Sequence, residues 1–459
     1  MIRLIFIICA YQASLLLVAT TKISNPRVCV IGAGIAGLTS ARYLKEAGIN
    51  FTVLEATRYV GGTWRYDPRV DVDENGLTLF TSMYKHLRTN LPKPAMEMPG
   101  YPLPAEMPSY PTWEQFYKYL QSYSKHFDLE KHIKFLHHVI SVKRDENVWR
   151  VKHKQVVTKE EYEEEYDFVV VGTGHYSKPH MPSIPGEEKF KGTIIHSHNY
   201  RLPDPFKNRR ILFIGAGPSG MDISLDVAEV ATRVVHSHHS IANFKTPFPE
   251  NYVRKPDVRE LNETGVTFVD DTFEEIDDIV YCTGYEYHYP FLDESSGLTF
   301  APHSVVPLYK YLVNVNQPTM VIMGLVVRAC LVIAIDAQAR YTTALVKGNF
   351  SQPSRDEMMA EWQNRYDSLK SQGRPLSHIH LLDKKEDEYY ADLTKESGIE
   401  RVPPVMFKIR THDAKSKLEN LLIYRNYSYE VLDSENFTVS LEKSRNKTEV
   451  TAKEATMWS

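Results

Sequence analysis

The chain has 459 residues, 54 basic and 58 acidic side chains, and a formal net charge of −4. Hydrophobic residues make up 42% and charged residues 24%, which is enough apolar content for a core and excludes disorder over most of the length. The balanced charge disfavours a nucleic-acid binder, and four cysteines are too few for a disulfide-stabilised mini-protein. The length corresponds to two or three domains.

The N-terminal segment has the pattern of a secretory signal peptide. Arg3 precedes an apolar run over residues 4–19, and small residues follow at positions 19–21. The run is short for a membrane span of ~20 residues, so an uncleaved signal anchor is the alternative. We expect residues 1–21 to be removed, leaving an extracellular protein without a membrane anchor.

Sequons for N-glycosylation agree with passage through the secretory pathway. Asn50 is expected to begin a buried strand and is therefore a poor acceptor. Sequons occur at Asn50, Asn262, Asn349, Asn426, Asn436 and Asn446.

The first chemical motif is a glycine turn between a strand and a helix. Four apolar residues up to Ile31 predict a buried parallel strand, and apolar residues at helical spacing follow the turn. Gly32 permits the tight turn, Gly34 lets the backbone approach a pyrophosphate, and Gly37 lets helix and strand pack closely. The next strand ends in Glu55, at an offset suited to binding ribose hydroxyls. The residues predicted to contact FAD or NAD here are Gly32, Ala33, Gly34, Ile35, Ala36, Gly37 and Glu55.

The same pattern recurs at residues 210–220. The following strand ends without a carboxylate, and His238 has the offset from Gly215 that Glu55 has from Gly32. Hydrogen-bond donors in place of an acid suit a 2′-phosphate, so this second site favours NADPH. A solvated strand end or an adventitious metal site is the alternative explanation of the histidines. The residues predicted to contact this nucleotide are Gly215, Gly217, Pro218, Ser219, Gly220, Ser237 and His238.

Two further predicted strands end in the same dipeptide, Thr-Gly. Residues 167–174 and 278–285 each run from an aspartate through apolar residues to Thr-Gly, which predicts close backbone approach beside each nucleotide site. No pair of cysteines has the spacing of a zinc or redox site, so we expect no metal.

Together these motifs resemble the flavin-containing monooxygenases. The pattern F-x-G-x-x-x-H with a following aromatic residue is matched by Phe190, Gly192, His196 and Tyr200. The short second domain and the N-terminal signal are similar to the insect branch of the family, and the polar C-terminus lacks the hydrophobic anchor of the microsomal vertebrate members. The second site lacks the arginine that many members place near the 2′-phosphate, and His238 stands there instead. Other segments that resemble family motifs are Gly61-Gly62-Thr63-Trp64, Thr89-Asn90, Thr283-Gly284-Tyr285 and Gln338-Ala339-Arg340.

The resemblance implies an enzyme that uses FAD, NADPH and O2. A flavin C4a-hydroperoxide would transfer one oxygen atom to a nucleophilic amine or sulfide. The branch implies detoxifying N-oxygenation of tertiary-amine plant alkaloids, such as the pyrrolizidine alkaloid senecionine. Asn90 is implied as catalytic, through a hydrogen bond from its amide. Further cofactor contacts are implied for Gly62, Thr63, Trp64, Thr89, Asn90 and Gln338.

Two other functions remain open. The chain could oxidise other amines or sulfides, or be a cofactor-binding relative without turnover. For Gln338, a solvated helix face is the alternative to a cofactor contact.

We therefore predict an α/β fold with two Rossmann-like dinucleotide-binding domains. An FAD domain over residues 22–203 and 291–459 would contain an inserted NADPH domain at 204–290. Substrate would enter between them. A helix is predicted from Arg355, in the C-terminal helical region.

Overall fold

The computed structural model describes residues 24–239, 244–382 and 385–441. The predicted signal peptide and Asn446 lie outside these residues. The helices are α1 (Ile35–Glu46), α2 (Lys93–Met96), α3 (Trp113–His126), α4 (Pro218–Ala228), α5 (Leu331–Lys347), α6 (Arg355–Ser371), α7 (Glu386–Ser397) and α8 (Val405–Glu419).

The strands group into two parallel sheets and several small antiparallel ones. In chain order they are β1 (Arg27–Ile31), β2 (Asn50–Glu55), β3 (Ile133–Phe135), β4 (His137–Asp145), β5 (Val148–Gln155), β6 (Glu161–Tyr166), β7 (Phe168–Val171), β8 (Lys178–Pro179), β9 (Thr193–His196), β10 (Arg210–Ile214), β11 (Arg233–Ser237), β12 (Tyr252–Lys255), β13 (Val258–Leu261), β14 (Gly265–Phe268), β15 (Phe273–Glu275), β16 (Asp278–Tyr281), β17 (Tyr285–Glu286), β18 (Thr299–Ala301), β19 (Ser304–Val306), β20 (Leu308–Tyr309), β21 (Val313–Asn314), β22 (Met320–Ile322), β23 (Tyr427–Val431) and β24 (Phe437–Leu441).

The first sheet has the order β3-β2-β1-β7-β22-β21-β20. Its first five strands are parallel, and β21 and β20 are antiparallel additions. Side chains of β1 alternate between two cores: Val28 and Val30 pack on the helical side, with α1, α3 and α5. Cys29 and Ile31 pack on the opposite side, against the three-stranded β4–β6 sheet. Burial on both faces explains why β1 reads as a continuous apolar run.

The second sheet has the order β12-β11-β10-β16-β9, and all its strands are parallel. Its edge strand β9 ends at His196 of the linker pattern, before the predicted boundary at residue 204. In both sheets the strand before the glycine turn has neighbours on either side that come from different parts of the chain. A crevice therefore opens at the carboxyl end of β1 and of β10, where α/β sheets bind ligands.

These two sheets confirm the predicted α/β fold with two Rossmann-like units. The predicted C-terminal helix is confirmed as α6, whose N-terminus is closed by a capping box between Ser354 and Glu357. Among the helices that the structure describes, none combines the length and the apolar character needed to cross a bilayer.

Candidate functional site

The first glycine turn brings three stretches of backbone into contact. Gly32 has φ +96°, and a Cβ there would lie 2.9 Å from the carbonyl oxygen of Gly172, just after β7. A Cβ on Gly37 would lie 1.8 Å from the carbonyl oxygen of Gly32. The expected close approach of the Thr-Gly ending is thus confirmed, and a side chain at Gly37 would collide with backbone.

The start of α1 is open toward a cavity. Gly34 is the N-cap residue and offers no side chain, so no cap hydrogen bond occupies the first N–H groups of the helix. A cavity of about 310 Å³ lies in front of it. The Thr63 hydroxyl, in its wall, is buried without a partner in the described part of the chain. An uncapped helix N-terminus and an unpaired donor fit a bound pyrophosphate and its neighbouring groups. Predicted contacts that line the cavity are Gly32, Gly34, Ile35, Ala36, Glu55, Gly62, Thr63 and Trp64.

Glu55 stands at the end of β2, as predicted. One carboxylate oxygen accepts from the Ala33 N–H at 2.7 Å, and the other accepts from the N–H and hydroxyl of Thr57, each at 2.8 Å. Burial raises the pKa of Glu55, while these three hydrogen bonds favour its ionised form. A carboxylate has about four lone-pair sites, so one stays available for a ribose hydroxyl.

Two residues predicted to contact the first nucleotide, Ala33 and Gly37, do not face the cavity. The Ala33 N–H is taken by Glu55, and Gly37 is packed on Gly32, so neither lines the cavity. Trp64 does line it and packs on Phe116 with ring centroids 4.4 Å apart.

A histidine that no sequence motif indicated lies in the cavity wall. His175 follows the Thr-Gly ending of β7, and burial lowers its pKa to about 4, so the ring is neutral near pH 7. Its position directly after a motif already noted was the available signal. Other lining residues that were missed are His137, His138, Tyr59, Leu79, Phe80, Thr81 and Tyr176.

The second glycine turn repeats the construction of the first. Gly215 has φ +105°, and a Cβ there would lie 2.5 Å from the carbonyl oxygen of Cys282, which precedes the second Thr-Gly. A Cβ on Gly220 would lie 2.0 Å from the carbonyl oxygen of Gly215. Gly217 is exposed with no atom within 4 Å of its missing Cβ, and Pro218 and Ser219 begin α4 beside it. The space in front of Gly217 therefore suits a second pyrophosphate.

The strand end next to this turn differs from the prediction at one residue. The Ser237 hydroxyl is buried and donates its proton to the Pro256 carbonyl at 2.6 Å, so it has none for a phosphate. Both ring nitrogens of His238 are buried without a hydrogen-bond partner in the described chain. Burial lowers the pKa of His238, and the positive charge of Arg254, one strand away on β12, lowers it further. Arg254 was missed because no motif predicted β12.

His236, also missed, supports the second turn. Its Nε2 lies 2.9 Å from the carbonyl oxygen of Gly215, and its Nδ1 lies 2.5 Å from the Tyr252 hydroxyl. A carbonyl only accepts, so Nε2 carries the proton and Nδ1 accepts from Tyr252. The ring is fully buried, and burial lowers the pKa of His236 to about 4.

Protonation of His236 is expected to destabilise the protein in acid. Its pKa is lower in the fold than the ordinary 6.5, so the unfolded chain takes up the proton first. Stability that is present above pH 6.5 is then lost as the pH falls toward 4, by about 3 kcal/mol. Urea unfolding of wild type and His236→Gln should differ by an amount that shrinks across this interval. A difference that does not vary with pH would contradict the assignment.

Asn90 lies in a loop at the junction of the two parallel-sheet units. Its side chain is exposed and does not line the cavity of the first site. Thr89 is buried: its N–H donates to the Pro111 carbonyl at 2.8 Å and its hydroxyl to the Leu91 carbonyl at 2.9 Å. The polar groups of Thr89 shape the loop and leave no donor for a cofactor, unlike the predicted contact.

Two half-buried cations from the C-terminal region hold this loop by three successive carbonyls. Arg425 donates to the carbonyls of Arg88 and Thr89 at 3.4 and 3.1 Å, and the Lys417 ammonium donates to the Asn90 carbonyl. Lys417 is also paired with Asp413 at 2.5 Å. The sequence does not predict these contacts of Arg425 and Lys417 with the loop, because the partners are more than 300 residues apart in the chain.

Arg425 also connects this loop to α4 of the second unit. Arg425 pairs with Asp222 at 2.5 Å, and Tyr84 donates to the same carboxylate. One turn later, Asp226 accepts from the Tyr200 hydroxyl at 2.6 Å and lies 2.9 Å from His86. One face of α4 therefore fastens the second sheet to the first unit.

The linker pattern is explained by packing. A Cβ on Gly192 would lie 2.1 Å from the Asp277 carbonyl oxygen and 2.6 Å from the Phe190 ring. His196 is buried at the end of β9 and accepts from the His198 N–H at 3.0 Å. With Tyr200 bound to Asp226, these residues hold the linker, and none of them lines the cavity.

Gln338 lies neither at the cofactor cavity nor on a solvated helix face, the two environments predicted for it. It is fully buried on α5, where its carbonyl oxygen accepts from the Gly324 N–H at 2.9 Å and its amide nitrogen donates to the Tyr389 hydroxyl at 2.9 Å. Gly324 lines the cavity and Gln338 does not, so Gln338 positions the wall through this hydrogen bond.

Comparison with known proteins agrees with this geometry. A family model described as flavin-binding monooxygenase-like matches residues 25–243 and 250–419. Senecionine N-oxygenase of Tyria jacobaeae is 40% identical over 419 residues, which cover 90% of this chain and 92% of that protein. These matches confirm the resemblance predicted from the sequence.

Solved structures show the same architecture. S-allyl-L-cysteine S-oxygenase from Allium sativum has a TM-score of 0.83 at 30% identity, covering 88% of this chain and 96% of that one. Tmm from Pelagibacter sp. strain HTCC7211 has a TM-score of 0.80 at 26% identity, covering 90% of this chain and 96% of the other.

Proposed function

Because this chain belongs to the flavin-binding monooxygenase-like family, whose cofactors are FAD and NADPH, we propose that it N-oxygenates tertiary-amine plant alkaloids such as senecionine. The observation that carries the proposal is the 40% identity to a senecionine N-oxygenase along 90% of the chain. Such a reaction would convert a membrane-permeant amine into a polar N-oxide and so detoxify it.

The two glycine turns are proposed to bind different cofactors. We assign FAD to the first turn, with α1 facing the pyrophosphate and Glu55 the ribose. We assign NADPH to the second turn, where Gly217 admits the pyrophosphate and His238 with Arg254 faces the 2′-phosphate. This assignment supports the predicted division into an FAD domain with an inserted NADPH domain.

The chemistry supplied by the bound cofactors is reduction of O2 and transfer of one oxygen atom to the amine. The protein needs no general base, because an unprotonated amine is already nucleophilic. Neutral His175 adds no positive charge to the cavity wall and so does not repel a substrate with a protonated fraction. Asn90 is proposed as the amide donor at the junction where the nicotinamide, flavin and substrate would meet.

Replacing Asn90 by alanine is expected to lower N-oxide formation per NADPH consumed by about tenfold, the equivalent of one hydrogen bond of about 1.4 kcal/mol. The backbone carbonyl that binds Lys417 is kept, so the melting temperature and flavin content should stay at wild-type values. The measurement is product by mass spectrometry against NADPH absorbance. Unchanged coupling would remove Asn90 from the reaction.

A second candidate is oxygenation of sulfides. It is favoured by the S-allyl-L-cysteine S-oxygenase structure, which superposes on 88% of this chain. The same cofactors and the same site would serve, since sulfur is also a soft nucleophile.

We also propose that the protein is secreted and glycosylated. Support comes from the apolar segment at residues 4–19 and from sequons at Asn262, Asn349 and Asn436, which are exposed, while Asn426 is half-buried. Asn50 begins β2 as predicted, but its side chain is exposed rather than buried. Glycosidase treatment of protein from the medium of expressing cells tests this proposal through a fall in mass.

The functional test uses purified protein with its flavin bound. NADPH oxidation should rise on addition of senecionine, and the N-oxide should accumulate in step with it. Response to S-allyl-L-cysteine but not to senecionine would replace the first candidate by the second. A protein that takes up no flavin would contradict both and support a non-catalytic relative.

A further inference from the structure

A buried arginine of the linker between the two units is bound by backbone alone. Arg201 is 6% exposed, and its guanidinium donates five hydrogen bonds. In the part of the chain that the structure describes, every acceptor is a carbonyl and none is a carboxylate. Burial lowers the pKa of Arg201, but an arginine keeps its proton at neutral pH, so a full positive charge is buried here. The acceptors are the carbonyls of Asp67, Arg69, Thr81, His198 and Tyr200, at 2.7 to 3.4 Å.

A cation is a costly group with which to hold backbone carbonyls. Carbonyl dipoles offset part of the cost of desolvating a charge, whereas a neutral amide would satisfy carbonyls without that cost. The buried carboxylate of Asp67 is close by, but it pairs with Arg65 and Arg69, at 3.3 and 2.6 Å. The charge of Arg201 is therefore left without a direct counter-ion.

Arg201 stands directly behind the wall of the cavity at the first glycine turn, here called the flavin cavity. Its Nη2 donates to the Thr81 carbonyl at 3.4 Å, and Thr81 lines this cavity. Its Nη1 donates to the His198 carbonyl, and the His198 ring lies 3.2 Å from the carbonyl oxygen of Leu79, in the same wall. The positive charge is thus one residue away from the cavity.

The Thr81 side of the flavin cavity faces the second unit. Three residues after Thr81, Tyr84 donates to a carboxylate of α4, and Tyr200, next to Arg201, donates to Asp226 of the same helix. A flavin that receives a hydride from a nucleotide in the second unit must place its reacting ring where the two units meet. In this assignment the reacting ring and Arg201 lie on the same side of the cavity.

The lining of the flavin cavity is itself more acidic than basic. Hydride transfer from NADPH to FAD moves two electrons and one proton, so NADP⁺ is left and the cofactor in the cavity carries one more negative charge. A fixed cation in low-dielectric surroundings stabilises such an added charge. The charged side chains that line the cavity are Glu55, Arg65, Asp73 and Glu74.

We propose that the guanidinium of Arg201 is the fixed charge that makes reduction of the bound flavin more favourable. It is a positioning residue, because it acts through the field of its charge and through the wall at Thr81 and not by contact with the cofactor. The proposal rests on the assignment of FAD to the first turn.

The test is the midpoint potential of the flavin-bound protein, measured by anaerobic reductive titration against a reference dye without NADPH. In Arg201→Gln the equilibrium constant of reduction should be smaller by about tenfold or more, which is a fall of about 30 mV for two electrons. In Arg201→Lys it should stay within about threefold of wild type although the melting temperature falls. The ammonium keeps the charge but can donate only about three hydrogen bonds.

A second variant leaves the hydrogen bonds of Arg201 in place and has an expected effect of opposite sign. Asp67→Asn removes a buried negative charge, while the backbone carbonyl that accepts from Arg201 is unchanged. Its equilibrium constant of reduction should rise by about threefold or more. Asp71→Asn is the matched control. It is the same change in the same loop at an exposed residue, where water screens the charge, so the potential should equal that of wild type.

Equal shifts of the potential in the two Arg201 variants would show a structural role alone and overturn the proposal. An unchanged potential in Asp67→Asn would overturn it as well, and this result is decisive even where Arg201→Gln does not fold. A wild-type protein that takes up no flavin would overturn the assignment of FAD to the first turn, and the role of Arg201 with it.

Discussion

Alanine in place of Gly37 is expected to abolish flavin retention and to lower the free energy of unfolding by at least about 3 kcal/mol. The added Cβ would stand 1.8 Å from the carbonyl oxygen of Gly32, which is backbone and has no rotamer by which to yield. Relief requires α1 to move away from β1. That movement would open the first turn and withdraw the helix N-terminus from the pyrophosphate.

The measurement is the ratio of flavin absorbance to protein absorbance in the purified variant, together with its urea unfolding curve. Gly34→Ala is the matched control, because its Cβ would meet Gly62 Cα at 3.6 Å, an ordinary contact. This control should fold and bind flavin more weakly than wild type. A Gly37→Ala protein that keeps its flavin would contradict the packing role of this glycine.

Asp222→Ala is expected to destabilise the protein by about 3 kcal/mol, because it leaves the Arg425 guanidinium inside the interface without its carboxylate. The arginine side chain is only 17% exposed, so water replaces the lost partner poorly. Arg425 also holds the carbonyls of Arg88 and Thr89, so the loop that carries Asn90 should loosen as well.

The double variant Asp222→Ala/Arg425→Met shows how much of the lost stability comes from the unpaired charge of Arg425. Removal of both charges should restore part of the stability lost in the single variant, since an apolar side chain of similar length needs no counter-ion. These two variants and the single variant Arg425→Met are compared with wild type by urea unfolding and by limited proteolysis within residues 84–91. If the double variant is as unstable as the sum of the single changes, the pair does not act as a unit.

Local sequence defines the two nucleotide sites well. Strand, turn and helix are adjacent in the chain. Gly37 and Gly220 are required by contacts with backbone a few residues away, and Gly32 and Gly215 by the positive φ of the turn itself. Glu55 was found for the same reason, since a strand ends at a known offset from the turn. Such features follow from steric rules that act over short stretches of chain.

Features that depend on distant segments were not predictable. The Lys417 contact with Asn90, Arg254 beside His238 and the Gly324 partner of Gln338 arise from the pairing of strands and the docking of helices. Ser237 shows the limit in a second way. Its position at the strand end was correct, but its hydroxyl is turned to the Pro256 carbonyl, and that choice is made by the neighbouring strand.

The two acidic residues on one face of α4 have a consequence for the distance between the cofactors. In the proposed assignment this helix would present its N-terminus to NADPH, while Asp222 and Asp226 bind side chains of the unit that would hold FAD. The stretch of α4 from Pro218 to Asp226 is a rigid spacer, so in this assignment it would help to set the gap that a hydride must cross. Drift of the two units relative to each other is then limited by the stiffness of a few turns of helix.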